Sequence, residues 1–186
     1  MYIVVGLGNP GEEYAGTRHN TGRITQAYMS EHVSSPVLKK IKFFVPDTFM
    51  NLSGKSVAKI IKNKKSAEKL IVIYDDLDLP LGSMKVSYNR GSGGHRGLES
   101  IIKALKTREF IRIRIGITPT TPSGKLKKPK TSRQSSRQAE KDVEKFILGE
   151  FKPAEMQILK KVLKRANESL ETIVTEGRER AMNLFN

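Results

Sequence analysis

The feature that most constrains the fold is the continuous apolar run at residues 70–74. A strand with apolar residues on both faces is typical of a parallel sheet covered by helices on both sides. Helical stripes of apolar residues at 98–105 and 159–173 alternate along the chain with further short apolar runs. This order predicts an α/β fold, a single domain with a mostly parallel mixed sheet flanked by helices.

The remaining elements follow from local patterns. Strands are predicted at 2–5, 41–45 and 84–88, and helices at 21–33 and 52–62. In residues 111–117, isoleucines alternate with Arg112, Arg114 and a glycine. Because successive side chains of a strand point to opposite faces, this alternation predicts one core face and one basic face.

At 186 residues, the chain fits one domain spanning 1–186, large enough to bury a substantial core. Residues 118–138 differ from the rest, since they contain three prolines, six basic residues and no acidic residue. Such a composition predicts a mobile loop. It serves either as a plain solvated insertion or as an electrostatic arm for a phosphate backbone.

The charge balance predicts a polyanionic partner. Lysine and arginine number 34 against 19 acidic residues, which gives a formal net charge of +15. Globular proteins this basic usually bind RNA or DNA, although a general compositional bias gives the same charge. The absence of cysteine excludes disulfides, a thiolate nucleophile and cysteine zinc sites.

The ends and hydropathy of the chain predict a cytoplasmic protein. The first residues form a short apolar run without the basic segment of a signal peptide. No apolar run is long enough to span a bilayer, so we expect no membrane partner.

Four polar motifs lie in loops that follow apolar runs or begin helices. They are 6–11 leading to 17–20, 48–54, 75–80 and 91–97. Together they supply imidazole, carboxylates, amide side chains and unblocked backbone N–H groups. That set indicates a hydrolytic site that uses general-base chemistry.

His19 and Asp75 are the candidate base and its partner. A lone histidine is more often structural than catalytic. Asp75, however, follows a buried strand, and α/β proteins place their sites at the carboxyl ends of strands. A carboxylate there orients an imidazole and raises its pKa.

A nucleotide cofactor and a metal are not expected. The 6–11 turn lacks the third glycine of a dinucleotide motif, and Pro10 removes a backbone donor. Asp75, Asp76 and Asp78 are more typical of backbone capping than of a metal site. Asn51 precedes a helix, where it acts either as a cap or as a donor to a substrate carbonyl.

Taken in order, these motifs resemble the bacterial-type peptidyl-tRNA hydrolase family, single-domain esterases that free tRNA from peptides dropped by stalled ribosomes. The resemblance rests on Gly6 to Gly11, Arg18-His19-Asn20, Phe49 to Gly54, Asp75 to Pro80 and Phe146-Ile147-Leu148-Gly149. It implies hydrolysis of the peptide–tRNA ester, peptidyl-tRNA as partner, no cofactor, no metal and a monomer.

The resemblance also implies roles for single residues. His19 corresponds to the catalytic base and Asp75 to the acid that orients it. The substrate-binding residues it implies are Asn9, Tyr14, Met50 and Asn51, with Arg96 in the glycine loop. Arg114 falls where the family contacts the tRNA 5′-phosphate, and we assign tRNA binding also to Lys85, Arg90 and Arg112.

Arg96 is a departure, because the family usually has asparagine there. The segment between His19 and Asn51 is also shorter than expected, which bears on the rim of the cleft. We expect Arg96 to face outward toward tRNA, since a guanidinium beside His19 would disfavour the imidazolium. Two alternatives remain: a non-catalytic RNA-binding protein on the same scaffold, as in intron splicing, and an esterase or amidase of small peptidyl substrates.

Overall fold

The computed structural model describes residues 1–129 and 137–186. Within them lies a five-stranded sheet of order β2-β1-β3-β5-β4. Its strands are β1 (Tyr2–Gly6), β2 (Ile41–Phe44), β3 (Leu70–Pro80), β4 (Met84–Tyr88) and β5 (Ile111–Thr118). All neighbouring pairs are parallel except β4 and β5, which are antiparallel. The predicted α/β fold with a mostly parallel mixed sheet is therefore confirmed.

Helices cover both faces of this sheet. They are α1 (Thr21–His32), α2 (Ser35–Leu38), α3 (Ser53–Val57), α4 (Lys64–Ala67), α5 (Arg96–Leu105), α6 (Arg137–Ile147), α7 (Pro153–Thr175) and α8 (Arg178–Phe185). Short 3-10 turns lie at Glu12–Tyr14, Arg18–Asn20 and Met50–Leu52. Among the described helices, none combines the length and the apolar character needed to cross a bilayer.

The continuous apolar run of β3 separates two cores. Ile71 and Ile73 pack into a cluster with residues of α1, α7 and α8. Leu70, Val72 and Tyr74 pack into a second cluster with residues of α3 and α5. Alternate side chains of one strand thus stabilise opposite faces, which is why the whole run is apolar.

The start of α1 lies directly against the sheet because Gly22 has no side chain. A Cβ at Gly22 would lie 2.3 Å from the backbone oxygen of Ile73 and 2.5 Å from the backbone nitrogen of Leu7. This close approach holds the 3-10 turn Arg18–Asn20, just before α1, at the carboxyl ends of β1 and β3.

Two predicted element boundaries were wrong. The helix predicted at 52–62 is only α3, because after Val57 the backbone mixes i→i−3 and i→i−4 bonds, and Asn63 then caps α4. The strand predicted at 70–74 continues to Pro80. Asp75, Asp76 and Asp78 therefore lie on an extended strand with a register irregularity, and not on a turn.

The prediction of a basic face on β5 was wrong at Arg112, and with it the tRNA-binding role of that residue. Arg112 is fully buried, and its guanidinium donates to the backbone oxygens of Arg90, Arg108 and Phe110. Arg112 lies on the side of its strand partner Val72, which belongs to the second core, and the backbone of Arg90 and Arg108 closes over its guanidinium. Arg112 therefore has no surface to offer a phosphate.

The described part of the basic loop contains a closed turn. Thr120 pairs with Leu126, and the Thr121 N–H donates to the backbone oxygen of Lys125. Residues 130–136, with Lys130 and Arg133, lie outside the described residues. The mobility predicted for 118–138 stays a prediction.

Candidate active site

A cleft of about 900 Å³ lies at the carboxyl ends of the parallel strands. All four polar motifs reach it, although they are far apart in the sequence. Helix α5 begins at its edge, and α6 borders it from the other side. The residues from the motifs that line it include Asn9, His19, Met50, Asn51, Asp75, His95 and Arg96.

His19 and Asp75 form a buried pair, as predicted. The Nδ1 atom of His19 lies 3.0 Å from both carboxylate oxygens of Asp75. Both side chains are less than a tenth exposed. Because a carboxylate only accepts hydrogen bonds, Nδ1 carries the proton and Nε2 is left as the basic nitrogen.

His95 completes the array, and the sequence analysis missed its role. Its Nε2 lies 3.1 Å from Oδ1 of Asp75, and its Nδ1 accepts the Leu98 N–H at the start of α5. Both ring nitrogens are therefore committed, which fixes the tautomer with the proton on Nε2. The available signal was a histidine at the N-cap position of a clearly amphipathic helix.

The pKa of Asp75 reflects its two imidazole partners. Burial alone would raise the pKa of the Asp75 carboxyl. The charges and hydrogen bonds of His19 and His95 outweigh burial, and they hold that pKa well below its usual range. Asp75 therefore remains a carboxylate throughout the physiological range.

The pKa of His19 is raised above its ordinary value. Burial alone would lower it, but the charge and hydrogen bond of Asp75 more than offset burial. Two cleft residues act in opposite directions, since Arg96 lowers this pKa and Glu144 on α6 raises it. His19 is thus a stronger base than a free imidazole.

The amide of Asn9 has a fixed orientation. Its Oδ1 accepts the Met50 N–H at 2.8 Å, so its NH₂ group is the part left to face the cleft. The backbone of Asn9 exchanges two hydrogen bonds with the side chain of Asn20, at 2.8 and 2.9 Å. Asn20, next to His19 in sequence, is a second positioning residue that the sequence analysis missed.

Beside these donors lies a mixed apolar and amide surface. Tyr14 meets Phe49 edge to face with ring centroids 6.3 Å apart, and Phe49 is half exposed. Met50 is buried beneath. Asn51 is exposed in the cleft, and its amide has no hydrogen bond partner among the described residues. The surface offers an apolar contact and a free amide to an extended ligand.

Arg114, Lys85 and Arg90 lie on one side of the cleft. Nε of Arg114 donates to Asp76 at 2.7 Å, and this bond leaves the terminal nitrogens for another anion. Lys85 pairs with Arg114 across the β4–β5 ladder and is exposed, as is Arg90. These positions suit the predicted contact with tRNA phosphates.

Arg18 fixes the turn that carries His19. Its guanidinium makes a 2.7 Å ion pair with Glu155 of α7. It also lies over the rings of Phe146 and Phe151, 4.7 and 5.4 Å from their centroids. Both side chains of the ion pair are largely buried, so the C-terminal third of the chain holds the candidate base in place.

Among the described residues, one group has a spacing that would suit a metal ion. It consists of His19, Asp75 and His95, whose ligand atoms lie within 4.8 Å of one another. Nδ1 of His19 and Nε2 of His95 are already paired with the carboxylate of Asp75 at hydrogen-bond distances. The array is therefore satisfied as an imidazole–carboxylate–imidazole set, and our prediction remains a site without metal.

Comparison with known proteins agrees with this geometry. The family described as peptidyl-tRNA hydrolase matches residues 3–186. A peptidyl-tRNA hydrolase of Thermodesulfovibrio yellowstonii is 34% identical over 203 residues, covering 100% of this chain and 99% of its own length. The one from Thermotoga maritima is 37% identical over 196 residues, with 99% and 96% covered.

Solved structures show the same architecture. The crystal structure of peptidyl-tRNA hydrolase from Acinetobacter baumannii superposes with a TM-score of 0.79 at 27% identity. The match covers 100% of this chain and 94% of that one. With the family match over nearly the whole length, the conclusion is that this chain belongs to the peptidyl-tRNA hydrolase family.

Proposed function

We propose that this chain hydrolyses the ester between the carboxyl group of a peptide and the terminal ribose of tRNA, and so recycles tRNA from peptidyl-tRNA released by stalled ribosomes. The observation that carries the proposal is the buried His19–Asp75 pair. Nε2 of His19 is free, and His19 lines a cleft that also contains donor amides. The chain belongs to a family of peptidyl-tRNA hydrolases.

The first step is attack by water. Nε2 of His19 takes a proton from water, and the resulting hydroxide adds to the ester carbonyl carbon. Asp75 stabilises the imidazolium that forms, since the carboxylate is charged and 3.0 Å away. Asn51 and nearby N–H groups stabilise the oxyanion, while the oriented NH₂ of Asn9 binds the peptide.

The second step is collapse of the tetrahedral intermediate. The bond between the carbonyl carbon and the ribose oxygen breaks, and the imidazolium returns its proton to that oxygen. The products are tRNA with a free hydroxyl and the carboxylic acid of the peptide, which loses its proton to solvent. No covalent enzyme intermediate is needed, which agrees with a site built from imidazoles, a carboxylate and amides.

The non-catalytic RNA-binding alternative has no support in the comparisons, because the relatives are named as hydrolases. A non-catalytic protein would also have no need for the fixed tautomers of His19 and His95. A small-ester hydrolase explains the site but not the net charge of +15.

One experiment separates these functions. Hydrolysis of N-acetyl-aminoacyl-tRNA and of the matching acyl-adenosine is measured beside the affinity for uncharged tRNA. We expect turnover of both esters, with a far lower KM for the tRNA ester. Binding without turnover would support the splicing-type alternative, and equal KM values would support the small-ester hydrolase.

Affinity for tRNA is expected to fall steeply with salt. Arg114, Lys85 and Arg90 beside the cleft neutralise phosphates, and each neutralised phosphate contributes roughly −0.9 to the slope of log affinity against log salt. The measurement is a titration of uncharged tRNA at several salt concentrations. A flat plot would contradict phosphate contact.

Arg96→Asn is expected to weaken tRNA binding with little effect on the acyl-adenosine ester. Arg96 is exposed at the first residue of α5, on the edge of the cleft. An amide there loses a permanent charge but keeps donors. A large loss on the small ester would instead assign Arg96 to the reacting carbonyl.

Three further proposals complete this function. The protein acts as a monomer in the cytoplasm. The described part of the basic loop, residues 118–129, contributes charge near the cleft, where Lys128 pairs with Asp78. Sedimentation and proteolysis of the free and tRNA-bound protein test these points.

A further inference from the structure

A second cavity, of about 480 Å³, lies at the far end of α5 from the cleft. Helix α5 begins at Arg96 in the cleft and spans ten residues, so the two openings are about 15 Å apart along it. Four cations line this second opening, with one carboxylate, Glu109. They are Lys64, Lys103, Lys106 and Arg108, and we call the opening the basic cavity.

The basic cavity lies beside a buried cation that lacks an anionic partner. Arg112 donates only to backbone oxygens within the described residues, and two of these belong to Arg90 and Arg108. Its Nε has no hydrogen bond partner there. The Arg112 pKa is lowered to about 10, mainly by burial, with smaller contributions from the charges of Arg114, Arg90 and Arg108.

A buried charge is normally paired with an opposite charge or satisfied by hydrogen bonds. For Arg112, backbone dipoles and the ring of Phe110 stabilise the charge only in part. That ring lies 4.1 Å from the guanidinium carbon. The positive field at the opening is therefore larger than its exposed side chains alone would produce. The ligand that such a field selects is an anion, and a phosphate fits a cavity open to solvent.

We propose that the basic cavity binds a backbone phosphate of the tRNA whose ester end lies at His19, about one α5 length away. Rim residues Lys103, Lys106 and Arg108 neutralise that phosphate, and Arg112 supports the rim from below. An acyl-adenosine in the cleft cannot reach the cavity, so only a longer RNA gains from it. This inference rests on the proposed function.

The alternative explanation for these lysines is that they stabilise the end of helix α5. Lys103 lies in the last turn of α5 and Lys106 follows its end, where cations are favourable beside the free carbonyls of a helix. On that reading their removal lowers helix stability and leaves RNA affinity unchanged beyond the loss of net charge.

The test is the double variant Lys103→Gln/Lys106→Gln. The matched control is Lys161→Gln/Lys164→Gln, two exposed lysines with the same spacing on α7. Both variants lose two charges. Affinities for uncharged tRNA and for an acceptor-stem hairpin are measured across salt concentrations, with thermal unfolding as a check of folding.

We expect the cavity variant to bind tRNA and hairpin roughly tenfold more weakly at low salt, with the salt slope reduced by about one to two. KM for peptidyl-tRNA rises, kcat stays, and hydrolysis of acyl-adenosine is unchanged. Equal affinity and slope in the cavity and control variants would overturn the inference.

The inference and the proposed function fail in different ways. If wild type hydrolyses peptidyl-tRNA while the two variants behave alike, the function stands and the cavity has no role. If wild type fails on both esters, the function is lost. If the cavity variant unfolds, the test is repeated away from α5 with Lys64→Gln. Lys65→Gln is then its control.

Discussion

Replacement of His19 by alanine is expected to reduce kcat on peptidyl-tRNA by about 10²- to 10⁴-fold, the usual contribution of a general base. The free Nε2 of His19 is the one basic nitrogen that the paired array leaves for water. Affinity for uncharged tRNA is expected to survive, because the phosphate contacts that we propose lie elsewhere on the cleft edge. Single-turnover hydrolysis and tRNA titration measure the two quantities.

The matched control is His32→Ala. His32 is exposed on α1, where its ring stacks on Tyr28 with centroids 3.9 Å apart, and it does not line the cleft. It loses the same side chain without touching the site, so its kcat should equal that of wild type. Hydrolysis by the His19 variant within a few-fold of wild type would refute the mechanism.

Asp75→Asn is expected to lower kcat by about 10²-fold while the fold is kept. The amide has nearly the same shape as the carboxylate and still accepts from Nδ1 of His19. It carries no charge, however, and cannot stabilise the imidazolium as Asp75 does from 3.0 Å. It also weakens the bond from His95.

The pH profile gives an independent check with a definite sign. A general base works when neutral, so the rate rises as pH increases through the pKa of His19. In the wild type Asp75 holds that pKa above its ordinary value. Without this charge, the rising limb of the pH–rate profile should move to lower pH, and the rate on its plateau should be lower. A limb that stays in place, or moves to higher pH, would show that Asp75 does not control the base.

The fold was predictable where the pattern depends on neighbours in sequence. The apolar run of β3 and the stripe of α5 indicate burial on both faces of one sheet, and the structure confirms it. The pairing of His19 with Asp75 followed from the topology, because parallel strands bring their carboxyl ends to one edge.

The remaining errors concern contacts between residues distant in sequence, which join His95 to Asp75 and Arg112 to Arg90. The direction of His95 depends on the left-handed backbone of Gly93 and Gly94, with φ of 61° and 81°, which turns the loop back toward Asp75. Arg112 alternates with buried residues, yet it is covered in part by the backbone of Arg90, which is distant in sequence. Local periodicity predicts which face a side chain takes, but not what folds over that face.

The contact between Arg18 and Glu155 has a consequence for synthesis of the protein. All five strands precede residue 119, so the sheet is available early as the chain leaves the ribosome. The anchors of the turn that carries His19 lie between Phe146 and Glu155 and emerge after these strands. A growing chain therefore has the strands of its sheet before it has the residues that hold the candidate base in place.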